Sequence, residues 1–95
     1  MYCVAVSFRL HAENFSAFEK RVVQQARDSL AKEPGCSVFD VWTDAERPNE
    51  VFLYEIYDDR AAFDAHLASE HFKAFDAEVA DWVADKKVLT WSAKA

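Results

Sequence analysis

A single glycine, Gly35, stands in the 95 residues of this chain. Loops that cradle phosphates or dinucleotides need several glycines to bring backbone close to the anion, so P-loop and Rossmann sites are excluded. Cys3 and Cys36 are too few and too scattered for a disulfide framework or a zinc site. As free thiols they fit a reducing compartment, where each reads as a small buried hydrophobe. No apolar run approaches the roughly 20 residues that span a bilayer. Residues 1–6 lack the basic start of a secretory signal, so a cytoplasmic location is expected. Basic residues are in deficit as well: 11 Lys and Arg against 17 Asp and Glu leave a net charge of −6. An acidic chain has no general attraction to nucleic acid or to anionic membranes.

Apolar side chains, by contrast, are abundant. Hydrophobic residues make up 52% of the chain and aromatics 15%, more than a two-layer monomer of this size readily hides. The excess calls for a second buried surface, and a symmetric homodimer is the usual way to supply one. The length fits one domain, residues 1–95.

Residues 2–10 alternate, with Tyr2, Val4, Val6, Phe8 and Leu10 on one face, which predicts a strand. Residues 12–33 predict a helix whose apolar stripe is Phe15, Phe18, Val22, Ala26 and Leu30, ended by Pro34-Gly35. A second strand is expected over 36–44, a polar turn over 45–49 and a third strand over 50–57. Both faces of the third strand are largely apolar, so both should be covered. Asp58 or Asp59 caps the next helix, on which Phe63 and Leu67 mark the inner face beside His66. Ser69 is a second cap, followed by Phe72, Phe75, Val79 and Trp82 at helical spacing, and residues 86–92 form the last strand. This order, βαββαβ, specifies an α+β ferredoxin-like fold with a four-stranded antiparallel sheet. Helices cover one sheet face; two such sheets packed together would cover the other.

The chemistry concentrates between residues 54 and 72. Glu55 is a carboxylate within an apolar strand, and His66 and His71 follow within twenty residues. A strand carboxylate ordinarily faces water or pairs with a cation such as Arg9. The alternative is a carboxylate turned into a cavity, its pKa raised so that it exchanges protons near neutral pH. His66 on an apolar helix face reads either as a satisfied core residue or as an acid/base partner for Glu55, within hydrogen-bond reach of it directly or through one water. Together the three have the composition of a two-histidine, one-carboxylate metal site, but five-residue histidine spacing is off one helix face and further ligand-type residues are few. No cofactor and no metal are expected.

The string Glu33-Pro34-Gly35-Cys36, then Phe52-Leu53-Tyr54-Glu55-Ile56-Tyr57-Asp58-Asp59-Arg60-Ala61-Ala62-Phe63-Asp64-Ala65-His66, then His71-Phe72, closely resembles the antibiotic biosynthesis monooxygenase (ABM) domain family. The resemblance spans nearly the whole chain. It implies a dimeric α/β barrel in which two sheets pack face to face, with a ligand pocket between sheet and helices of each subunit. Members of that superfamily include cofactor-free monooxygenases of quinols and phenols, haem-degrading enzymes, and an isomerase of a small phosphorylated sugar derivative. The haem-degrading branch uses an asparagine in the first strand; here Asn14 lies beyond that strand, which argues against haem degradation.

The leading expectation is a cofactor-independent monooxygenase that takes a small quinol or phenol and molecular oxygen. Glu55 or His66 would be the base, with His71 as a third catalytic residue and Tyr57, Phe39, Phe72 and Phe75 at the substrate. The alternatives are a proton-transfer isomerase of a small, phosphorylated keto compound, for which Arg9, Arg60, Lys73, Lys86 and Lys87 are the available cations, and a non-catalytic dimeric binding barrel.

Overall fold

The computed structural model describes residues 1–95. Four strands, β1 (Tyr2–Leu10), β2 (Cys36–Trp42), β3 (Glu50–Tyr57) and β4 (Val83–Trp91), alternate with helices α1 (Phe15–Lys32), α2 (Arg60–Ala68) and α3 (Glu70–Val79). Single 3₁₀ turns, Ala12–Asn14 and Ala80–Trp82, lead into α1 and out of α3. The sheet order is β2-β3-β1-β4 and every pairing is antiparallel, the expected α+β ferredoxin-like arrangement.

Strand alternation decides the core. Tyr2, Val4, Val6, Phe8 and Leu10 of β1 turn toward the helices, where Phe18, Val22, Phe75 and Val79 meet them. Register places Val51, Leu53, Glu55 and Tyr57 of β3 on that same face. Because β3 is an interior strand, Glu55 lies between Val4 of β1 and Phe39 of β2, not at an edge facing water.

Helix α1 departs from the expected stripe. Its buried face is Phe18, Val22, Gln25, Ala26 and Ser29, while Leu30 is exposed. Each step of four residues overshoots a full turn by about 40°. The run 22, 26, 30 therefore drifts around the helix, whereas 18, 22, 25, 29 stays on one line. Two polar residues thus occupy the inner face. Strand β4 begins at Val83, before residue 86, because Val83 pairs with Leu10 across a register shift that sequence alternation does not reveal. Strand β2 ends at Trp42, two residues before the expected end.

Both expected caps form. The Asp59 carboxylate accepts from the Ala62 N–H at 2.8 Å, and Ser69 Oγ accepts from the Phe72 N–H at 3.2 Å. Ser69 Oγ also donates to the His66 carbonyl at 2.7 Å, so one side chain ends α2 and starts α3. Gly35 serves a different purpose: a Cβ there would lie 2.7 Å from Ala62 Cβ. The missing side chain lets the end of α1 close onto α2, which carries Glu33 up to His66.

The sheet face away from the helices is not covered within the chain. Trp42, Phe52, Tyr54, Leu89 and Trp91 are 39–61% exposed. No helix is long and apolar enough to cross a membrane.

Candidate active site

Between the sheet and helices α1 to α3 lies a cavity of about 50 Å³. Its walls are mostly apolar, with Phe39, Phe63, Leu67, Phe72 and Phe75 prominent, and four polar side chains reach it: Gln25, Glu55, His66 and Lys86. A larger depression of about 460 Å³ beside Trp42, Arg47 and Phe52 lies at the far end of the open sheet face. It holds the Asp44–Arg47 ion pair and none of the groups with a shifted pKa, so the smaller cavity is the chemical one.

Glu55 is 3% exposed. Tyr57 Oη donates to Glu55 Oε1 at 2.7 Å, while Oε2 has no hydrogen-bond partner in the protein and is not among the polar atoms sealed off without one. That oxygen is free to meet a ligand. Burial pushes the Glu55 carboxyl up from 4.5 to about 7; the Tyr57 hydrogen bond and Lys86 oppose the rise and the Glu33 charge adds to it. Tyr57 is fully buried, and its phenol is raised by burial and by the neighbouring Glu55, so it stays a donor. Cys36 is likewise pushed up to about 12, by burial first and then by Glu33 and Glu55, which makes it a poor nucleophile.

His66 is 3% exposed and sits among aromatic rings: Phe72 at 4.8 Å, Tyr57 at 5.4 Å and Phe63 near-parallel at 6.1 Å. Burial lowers its pKa, against the opposing pull of Glu33. Its partner is not Glu55. Nδ1 lies 2.9 Å from Glu33 Oε2 and 3.2 Å from Oε1, and no direct hydrogen bond joins His66 to Glu55. The Nε2 atom is unpartnered and not sealed off.

His71 does not line the cavity. Its Nε2 lies 2.8 Å from the same Glu33 oxygen, with the N–H directed off the line between them, and its Nδ1 lies 3.2 Å from Gln25 Nε2. The chain break at Ser69 turns His71 back toward α1, so both histidines reach one carboxylate despite their spacing. No group of three His, Cys, Asp or Glu side chains is placed to hold a metal ion.

Of the residues singled out in the sequence, Glu55, His66, Phe39, Phe72 and Phe75 therefore meet at one cavity. Tyr57 stands behind Glu55, and His71 behind Glu33. Glu33 and Gln25 are the polar groups that sequence reasoning missed. Glu33 reads as the last residue before a helix-ending Pro-Gly. The available signal at Gln25 was a polar residue three after Val22, on the true buried line of α1.

The arrangement can move protons. It offers a carboxyl poised near neutrality, an imidazole kept neutral by burial, one lysine without an ion pair, and apolar walls that exclude water.

Comparison with known proteins agrees with this geometry. The sequence model of the family described as "Antibiotic biosynthesis monooxygenase" matches residues 1–78. Isomerases of (4S)-4-hydroxy-5-phosphonooxypentane-2,3-dione from Salmonella paratyphi B and Salmonella choleraesuis are 32% identical over 73 residues, covering 77% of this chain and 75% of theirs. A solved structure from Nitrosomonas europaea, which carries a provisional antibiotic biosynthesis monooxygenase name, is 29% identical, covers 98% of both chains and superposes with a TM-score of 0.91. A similarly named structure from Bacteriodes thetaiotaomicron is 28% identical, covers 99% of this chain and 89% of its own, and has a TM-score of 0.87.

Proposed function

This chain belongs to the antibiotic biosynthesis monooxygenase family, and from that premise we propose that it is a cofactor-independent monooxygenase of a small phenol or quinol, with Glu55 as the base. The observation that carries the proposal is the Glu55 carboxyl, raised to about 7 at an apolar cavity with one oxygen unpartnered. A base whose pKa matches the operating pH combines a useful ionised fraction with enough basicity to take a phenolic proton.

Glu55 Oε2 takes the proton of the substrate hydroxyl. The phenolate passes one electron to O₂, and the phenoxyl radical and superoxide combine to a peroxide at a ring carbon. Glu55 returns its proton to the peroxide anion; the ionised carboxylate then takes the ring proton as the O–O bond breaks, which leaves a carbonyl and expels hydroxide, and that proton and the hydroxide make water. One phenol and one O₂ give one quinone and one water, with every electron supplied by the substrate. Lys86 stabilises the phenolate, and the apolar walls protect the radical pair from water.

Cavity size bears on the substrate. At about 50 Å³, bordered by Phe63, Leu67 and Phe72 at the joint between α2 and α3, the cavity favours one ring over a polycycle.

The exposed apolar sheet face supports a homodimer, with Leu89, Trp91 and Tyr54 buried against a second copy.

The Salmonella relatives favour a second reading, an isomerase. The same base would take a proton from carbon beside a carbonyl, His66 would relay it, and Lys86 would be the cation nearest a phosphate. Oxygen uptake with a panel of hydroquinones, set against solvent hydrogen exchange into (4S)-4-hydroxy-5-phosphonooxypentane-2,3-dione, separates the two. Uptake abolished in Glu55→Gln, a loss of roughly 10²–10⁴-fold, supports the monooxygenase. Exchange without uptake moves the assignment to the isomerase, and neither activity refutes both.

A further inference from the structure

We infer that Glu33 is a positioning residue that fixes the proton of His66 on Nδ1, so that the bare Nε2 faces the cavity and the group it receives there is a hydroxyl donor. The inference rests on the reading of this cavity as the active site.

An ionised carboxylate can only accept hydrogen bonds. Glu33 brings both oxygens to His66 Nδ1, at 2.9 and 3.2 Å, so that nitrogen must carry the hydrogen. In a neutral imidazole the other nitrogen is then a lone pair. Burial keeps His66 neutral, and Nε2 has no partner in the protein and is not sealed off. It is an acceptor awaiting a donor.

Behind Glu33 the network is only partly satisfied, with Gln25 Oε1 and His71 Nε2 buried and without a hydrogen-bond partner. The Gln25 amide N–H donates to His71 Nδ1 at 3.2 Å, which places the hydrogen of a neutral His71 on Nε2, the atom 2.8 Å from Glu33 Oε2. Turning the amide over would put a hydrogen on Nδ1 and set the lone pair of a neutral His71 Nε2 against a carboxylate oxygen. Gln25 thus favours the His71 tautomer whose Nε2 hydrogen lies beside Glu33, directed off the oxygen, and Glu33 takes its hydrogen bond from His66. Gln25 is 1% exposed and His71 half-buried, so solvent competes little for the Gln25 amide.

The consequence is a selectivity. A carbonyl oxygen gains nothing at His66 Nε2, because two acceptors would face each other. A phenol, enol or alcohol donates to it, and a quinol can place one O–H there while the other meets Glu55 in the same cavity.

Long-range ¹H–¹⁵N correlation spectra of the ¹⁵N-labelled protein at neutral pH read the tautomer without any turnover. The expected result is His66 with the hydrogen on Nδ1 and an unprotonated Nε2. In Glu33→Ala the bias should be lost and both tautomers populated. Titration with phenol should shift Nε2 of His66, bind about tenfold more weakly in Glu33→Ala, as for one lost hydrogen-bonding alignment, and cyclohexanone should leave Nε2 unmoved. A wild-type His66 carrying its hydrogen on Nε2 overturns the inference, and that spectrum decides even where the variant does not fold. A tautomer unchanged in folded Glu33→Ala also overturns it, as does cyclohexanone matching phenol. If the tautomer is as expected but no substrate is turned over, the proposed function fails while the positioning role stands.

Discussion

Glu55→Gln should stabilise the fold at pH 8 while removing the chemistry. The Glu55 carboxyl is held at about 7 in the folded chain, from an ordinary 4.5, because burial penalises its charge. Below pH 4.5 the group is protonated in both folded and unfolded chains and costs nothing. Between 4.5 and about 7 the unfolded chain releases the proton and the folded chain keeps it, so stability falls as pH rises. Above about 7 both are ionised and the whole cost is present. At about 1.4 kcal/mol for each pH unit, that cost is about 3 kcal/mol. A glutamine keeps an amide oxygen for the Tyr57 hydroxyl and never ionises, so it escapes the penalty. Urea denaturation of wild type and variant at pH 5 and pH 8, at equal protein concentration, measures the difference. The variant should gain about 2–3 kcal/mol on wild type between the two pH values, or about 10–20 °C in thermal midpoint for a chain of this size. A variant less stable than wild type at pH 8, or a difference that does not change with pH, would refute the reasoning: Glu55 would then be paired or hydrated in solution. The stability gained with activity lost is the trade expected where a functional group is held at a cost.

Two further outcomes test the scaffold. Gly35→Ala should destabilise by about 1–3 kcal/mol, as for a methyl forced into a packed seam, because its Cβ would lie 2.7 Å from Ala62 Cβ; Ala62→Gly should recover most of the loss in a double-mutant cycle, and full additivity would show that the contact is not the cause. Trp91→Lys combined with Leu89→Lys on the exposed sheet face should turn the proposed dimer into a monomer in sedimentation at micromolar concentration, whereas a wild-type monomer would remove the dimer from the proposal.

The order of elements could be read directly from the chain. Period-two alternation over β1, helical spacing through α1 and α3, and the capping signals at Asp59 and Ser69 are local physics, and local physics survives folding. Glu55 stood out for the same reason: a carboxylate inside an apolar run has few cheap solutions. The partner of His66 was not legible. Glu33 lies 33 residues earlier and belongs to a helix terminus whose sequence speaks only of stopping. The missing side chain at Gly35 closes α1 onto α2, and the turn at Ser69 swings His71 back to the same oxygen. Gln25 was hidden likewise, since only packing shows which of two overlapping stripes on α1 faces inward. The sequence by itself determined which elements form and singled out Glu55; the pairing of β3 between β1 and β2 decided that this carboxylate is buried, and the close approach of three helix segments decided which groups meet Glu33, because that depends on distances of about 3 Å between residues tens of positions apart.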